Sequence, residues 1–169
     1  MKANLQFWSI LLLVLFGLIG LSERALAQTS YTQTYSQGDI GGPAAYTLAA
    51  PTTCPGSMTF SNIPLGMRVD SVRVSYNFFT SMAGFGNPSM QRSYLRCPTT
   101  GVHETQLTAP SGAGVGTTNS YARTVSIANG VVTGPLTLEL HCGSADPLSF
   151  SACGSSYNSV LNNSWSVTV

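Results

Sequence analysis

The stretch MRVDSVRVSYNFF, Met67 to Phe79, changes character every second residue: Val72, Val74, Tyr76 and Phe78 fall on one side, and Ser71, Arg73, Ser75 and Asn77 on the other. Successive strand side chains point to opposite faces, so this pattern predicts a strand with one buried and one wet face. The same period recurs in SMTFSNI (57–63), SMQRSYLRC (89–97), HETQLTA (103–109), SYARTVSIA (120–128), PLTLELHC (135–142) and SWSVTV (164–169). Turn clusters separate these runs: IPLG, GFGNP, CPTTG, APSGAGVG and ANG. No window after residue 27 carries an apolar stripe of helical period, and Ser, Thr, Gly and Asn, all poor helix formers, dominate. The expectation is an all-β, antiparallel jelly-roll β-sandwich of about eight strands. The polar segment 28–53 is looser, and its Tyr31/Tyr35 spacing suits an edge strand or an N-terminal arm.

The chain has 169 residues, and residues 1–27 read as a cleaved signal peptide. Lys2 supplies the positive start and Phe7 to Leu21 a short apolar core. Ala25-Leu26-Ala27 then offers a small-x-small cleavage site. That apolar run is short for a bilayer span, so no membrane span is expected after cleavage and the remainder should be secreted or held at an outer surface. Residues 28–169 fit one domain, with an arm and first edge strand at 28–53 and the sandwich core at 54–169. They carry five arginines (68, 73, 92, 96, 123), no lysine, and five acids (Asp39, Asp70, Glu104, Glu139, Asp146). This balance lacks the basic face that a phosphate backbone requires, which excludes nucleic acid as a partner.

Four cysteines, Cys54, Cys97, Cys142 and Cys153, follow the cleavage site. An even set in an exported chain implies two disulfides. Three pairings exist; Cys142–Cys153 is the natural local staple, which leaves Cys54–Cys97. Chain entropy assigns about 3 kcal/mol to the short loop and about 4 kcal/mol to the long one.

The residues LELHCGSADPLSFSAC (138–153) test for chemistry. A Cys142–His141 nucleophile pair needs a free thiolate, and the disulfide set leaves none. His103 and His141 are the only histidines, and no G-x-S-x-G elbow accompanies them, so a Ser-His-Asp triad is not indicated. His103-Glu104 opens like H-E-x-x-H but lacks the second histidine, so no zinc site is expected. Calcium is the one ion the loops offer ligands for, through Asp39, Glu104 and Asp146. Asp70 and Glu139 are the carboxylates best placed for glycoside hydrolysis, though five acids facing five arginines suit surface ion pairing better.

The arginines carry the more specific signal. MQRSYLRC sets Arg92, Tyr94 and Arg96 on one strand face, where guanidinium forks and a stacking ring would suit an acidic or sugar ligand. An arginine–carboxylate network across strands is the competing reading. Arg92, Tyr94, Arg96, His141 and Asp146 are the candidate ligand-binding residues. Trp165, at period two with Val167 and Val169, is expected in the core.

The runs CPGSMTFSNIPLGMRVDSVRVSYNFF, MQRSYLRC, TAPSGAG, LTLELHC and WSVTV together resemble secreted bacterial jelly-roll modules, and are loosely similar to the P-domain-like sandwiches that accompany exported proteases. The shared features are the I-P…V-x-S-V-x-V strand pair, the P-S-G turn and the closing W-x-V-x-V strand; the H-T-x-x-G-D-L segment of P-domains is missing. The resemblance implies an accessory, adhesive or binding unit and transfers no catalytic residue. The functional expectation is an exported, non-catalytic module that binds a glycan or a protein surface. The alternatives are a structural subunit of an extracellular fibre, self-associating through the N-terminal arm, and a small secreted hydrolase.

Overall fold

In the computed structural model the alternation at 72–78 becomes a nine-residue strand, Val72–Thr80, in which Val72, Val74, Tyr76, Phe78 and Thr80 are buried. The structure describes residues 28–42, 52–80, 88–108, 118–144, 153 and 158–169; residues 1–27, expected to be a signal peptide, and Asp146 lie outside them. In chain order the strands are β1 (Thr32–Thr34), β2 (Ile40–Gly41), β3 (Gly56–Phe60), β4 (Arg68–Val69), β5 (Val72–Thr80), β6 (Gln91–Cys97), β7 (Val102–His103), β8 (Thr118–Val125), β9 (Gly130–Val131), β10 (Leu136–Ser144), β11 (Asn158–Val160) and β12 (Ser166–Thr168). One 3-10 turn, Pro88–Met90, precedes β6.

All pairings are antiparallel and build two layers and a small ribbon. In the first sheet β8 lies along one side of β5. Along the other side β11 and β12 lie end to end, and β2 and β1 lie beyond them. The break between β11 and β12 is a turn in which Leu161 N–H donates to the Asn77 carbonyl and Asn77 N–H donates to Ser164 Oγ. Asn163 takes φ 60° there, a conformation asparagine tolerates. The second sheet runs β3-β10-β6-β7, and a bridge from Ser93 to Thr108 extends its β7 edge. β4 and β9 form the ribbon.

The inward faces meet in one core. Val72, Val74, Phe78, Val160, Trp165 and Val167 pack against Met58, Phe60, Leu95, Leu136, Leu138 and Leu140. Tyr35 from the arm covers Trp165, ring centroids 5.5 Å apart. β1 pairs with β12 of its own chain, so the arm is an edge strand of the same sandwich. Where β2 ends, a Cβ on Gly42 would lie 3.0 Å from the Gly143 Cα of β10, so a side chain there would have to push the two backbones apart.

The cysteines correct the expectation. Among the described residues there is one disulfide, Cys54–Cys153, and neither favoured pair forms. Cys97 and Cys142 are free and fully buried. β10 sets Cys142 opposite Ser93 and Glu139 opposite Arg96, so Cys97 sits four residues along the shared ladder from Cys142. Four residues of strand span about 13 Å, beyond disulfide reach. The bond that does form closes a sequence separation of 99 residues, for which chain entropy gives about 4.7 kcal/mol.

Candidate functional site

β6 carries polar side chains on both faces, and each face builds a cluster. On the outer face the register sets His141 opposite Tyr94, and the rings stack with centroids 4.8 Å apart and planes 7° apart. His103 of β7 meets Tyr94 edge-on at 6.0 Å. His141 Nε2 lies 3.2 Å from Glu139 Oε2. A carboxylate only accepts, so Nε2 carries the proton and Nδ1 accepts from the Thr52 hydroxyl at 3.4 Å. Arg96 Nη1 reaches Glu139 at 3.8 Å.

This face is not open: Tyr94 is 3% and His141 2% exposed. Burial lowers the His141 pKa and outweighs the opposing pull of Glu139. Of the sequence-derived ligand residues, Tyr94, Arg96 and His141 are brought together here. Arg92 instead folds back, its Nη1 donating to the carbonyls of Ser89 and Gln91.

The inner face joins the two sheets. Arg123 of β8 makes a bidentate pair with Glu104, Nε to Oε1 and Nη2 to Oε2 both 2.7 Å, the side chains 16% and 13% exposed. Glu104 Oε2 also accepts from Leu95 N–H, and Arg123 Nη1 donates to the Tyr76 hydroxyl, each at 2.7 Å. That hydroxyl is hydrogen-bonded to Ser93 Oγ. Burial works against the Arg123 charge, but Glu104 and Tyr76 hold its pKa above the usual arginine value. Next along, Gln91 Oε1 accepts from the Tyr121 hydroxyl at 2.9 Å and from Asn119 Nδ2 at 3.2 Å, while Gln91 Nε2 donates to Thr80 Oγ1. The arginine–carboxylate network read from the sequence is present here, but its particular partners become neighbours only when the sheets pack.

A cleft of about 720 Å³ opens beside the network, between β7 with the segment after it, the Asp70-Ser71 link before β5, and the end of β8. Asp70, Ser71, Gln106, Thr108, Thr124 and Ser126 supply donors and acceptors, Val102 and Ile127 an apolar strip. His103 and Glu104 also line it, and among the described residues no arginine does.

The geometry separates the two pairs that the sequence offered for chemistry, Cys142 with His141 and Asp70 with Glu139. Strand alternation puts Cys142 inside and His141 outside, and burial pushes the Cys142 thiol pKa up to about 12, with S–H directed to the Ile40 carbonyl at 3.2 Å. Asp70 lines the cleft and pairs with Arg68 at 3.0 Å, whereas Glu139 stands on the outer face of the other sheet. Glu104 shares the cleft with Asp70 but is tied to a permanent cation. Among the described residues no three His, Cys, Asp or Glu side chains form a group suited to a metal ion. Asp39 accepts the Asn162 N–H at 2.8 Å. Among the described residues no helix is long and apolar enough to cross a membrane.

No protein-family profile matches the chain, and no curated protein matches it. Among solved structures it is similar to that of the infectious bursal disease virus Gx strain, at 15% identity and TM-score 0.39 over 83% of this chain and 32% of that one. It is similar to the T=1 particles derived from infectious bursal virus, at 17% identity and TM-score 0.39 over 89% of this chain and 35% of that one. It is also similar to CBM35 from Cellvibrio japonicus Abf62, at 16% identity and TM-score 0.28 over 82% of this chain and 92% of that one. The chain spans about a third of the length of the viral chains it matches.

Proposed function

We propose that this chain is an exported, non-catalytic binding module on a jelly-roll frame, and that the cleft beside β7 and β8 is its recognition site. The strand order supports the frame. With β1 and β2 counted as one interrupted strand, β11 and β12 as another, and the ribbon set aside, eight strands remain among the described residues. In chain order one sheet then runs 1-8-3-6 and the other 2-7-4-5, the order made by wrapping one long antiparallel hairpin into two sheets. The disulfide and the signal-like N-terminus support export.

The observation that carries the binding reading is the cleft itself. It is concave and lined by hydroxyl, amide and carboxylate groups beside an apolar strip, the mixture that small-ligand sites use. A glycan or a protein surface is the class of ligand that fits it. The test is retention on an array of neutral and acidic oligosaccharides and on envelope proteins, comparing the wild type with a Gln106→Ala/Thr124→Ala double variant. Loss of retention in that variant, with an Arg96→Ala variant unaffected, supports the cleft. Loss only in Arg96→Ala moves the site to the outer face, and no retention by the wild type rejects the reading.

A further inference from the structure

The geometry points to a second copy of this chain pairing along the free side of β8, antiparallel and about a two-fold axis at Tyr121. This goes beyond the cleft reading and does not rest on it, although Thr124 borders both surfaces. The direction of the β8 backbone follows from β5. Asn77 N–H and C=O both engage the 161–164 turn, on the β11/β12 side. In an antiparallel strand a residue directs both groups to the same side and the next residue directs both to the other, so Val72, Val74, Tyr76 and Phe78 bond to β8. Their partners are Val125, Arg123, Tyr121 and Asn119. Thr118, Ser120, Ala122 and Thr124 therefore turn their N–H and C=O groups away from β5. Among the described residues β8 pairs with β5 alone.

Such an edge is normally protected by charge, proline or shortness. β8 is eight residues long, contains no proline, and places small, exposed Thr118, Ser120, Ala122 and Thr124 on its solvent face. Its one charge, Arg123, points inward and is neutralised by Glu104. The opposite edge, β1, is three residues long.

Self-pairing is also chemically consistent. With Tyr121 on the axis, Thr118 meets Thr124 of the second copy and Ser120 meets Ala122, giving about eight N–H···O bonds. Arg123 faces Asn119 of the second copy, so no like charges oppose one another. The contact is isologous, and the two-fold closes it at a dimer.

Sedimentation of the exported chain across a concentration series, with Ala122→Pro as the variant, tests this. Proline at 122 removes an outward N–H and leaves the ladder to β5 intact, so the variant should fold with an unchanged circular dichroism spectrum. The expected result is a wild-type dimer whose dissociation constant rises roughly tenfold or more in the variant. A variant that fails to fold is bypassed by amide exchange of the wild type, where Ser120, Ala122 and Thr124 amides should gain protection as concentration rises. A wild type that stays monomeric overturns the proposal. So does a dimer untouched by Ala122→Pro, or one abolished only by deleting residues 28–36.

Discussion

The two faces of β6 solve the same problem, how to place charge on a sheet, in different ways. Inward, Glu104 and Arg123 share two 2.7 Å bonds, and every remaining polar atom nearby is used by Leu95 N–H, Tyr76 or Ser93. Outward, Glu139 is reached at 3.8 Å by a half-exposed Arg96 and at 3.2 Å by a buried, neutral histidine. The inner pair has given up most of its hydration, so losing one partner strands the other in a poor solvent. Arg123→Met leaves the Glu104 charge unpaired and should cost about 3–5 kcal/mol in urea unfolding. Adding Glu104→Gln should recover part of that loss. A single-variant cost under about 1 kcal/mol would mean the inner pair behaves like a surface one, and the contrast between the faces would fall.

Tyr76 sharpens the contrast, because its hydroxyl carries the network on to Ser93. Burial raises its pKa, so it stays a neutral phenol throughout the physiological range. Tyr76→Phe keeps the ring stacked on Tyr121, centroids 4.9 Å apart, and removes only the hydroxyl. The expected loss is about 1.5–3 kcal/mol, that of a hydrogen bond to a charged group, again by urea unfolding.

Why one face was more legible than the other follows from how each is made. The period-two runs anticipated β5 and β10, because Val72 to Phe78 and Leu136 to Leu140 alternate without interruption. The pairing of Glu139 with His141 is local, two residues along one strand, so alternation placed both on one side. Stacking of Tyr94 on His141 depends on register, which no single strand encodes. Alternation puts Gln91 and Ser93 on the face of Leu95 and Cys97, but not the partners that let polar side chains be buried there, Thr80, Tyr121 and Tyr76 across the sandwich. Glu104 and Arg123 belong to different sheets, and Asn158-Ser159-Val160 is too short and polar to announce a strand. Cys54 and Cys153 pair because the fold brings their segments together; spacing alone favoured the local staple.

Acid separates the faces further. His141 has its pKa lowered, first by desolvation and against the pull of Glu139. The unfolded chain therefore takes up this proton more readily than the folded one. The stability linked to His141 is present above the ordinary histidine pKa of about 6.5 and is lost as pH falls through the lowered folded value. Its slope is bounded by about 1.4 kcal/mol per pH unit for a single proton. His141→Phe keeps a ring over Tyr94 and cannot titrate, so the wild-type minus variant difference in stability should shrink between pH 7.5 and 5. An identical acid response in both proteins would remove His141 as the sensitive group.

Arg96 should give the smallest effect. Its side chain is 47% exposed and its contact with Glu139 is long, so Arg96→Ala is expected to cost about 0–1 kcal/mol at pH 7.5. The pH profile still distinguishes a weak role from none. The Arg96 charge contributes to lowering the His141 pKa, so its removal lets that pKa climb toward the unfolded value. Less stability is then lost on acidification, and the profile of Arg96→Ala should be shallower than that of the wild type. A steeper profile would mean that Arg96 acts mainly by holding Glu139 in place against the imidazole, which would make the outer face a coupled network like the inner one.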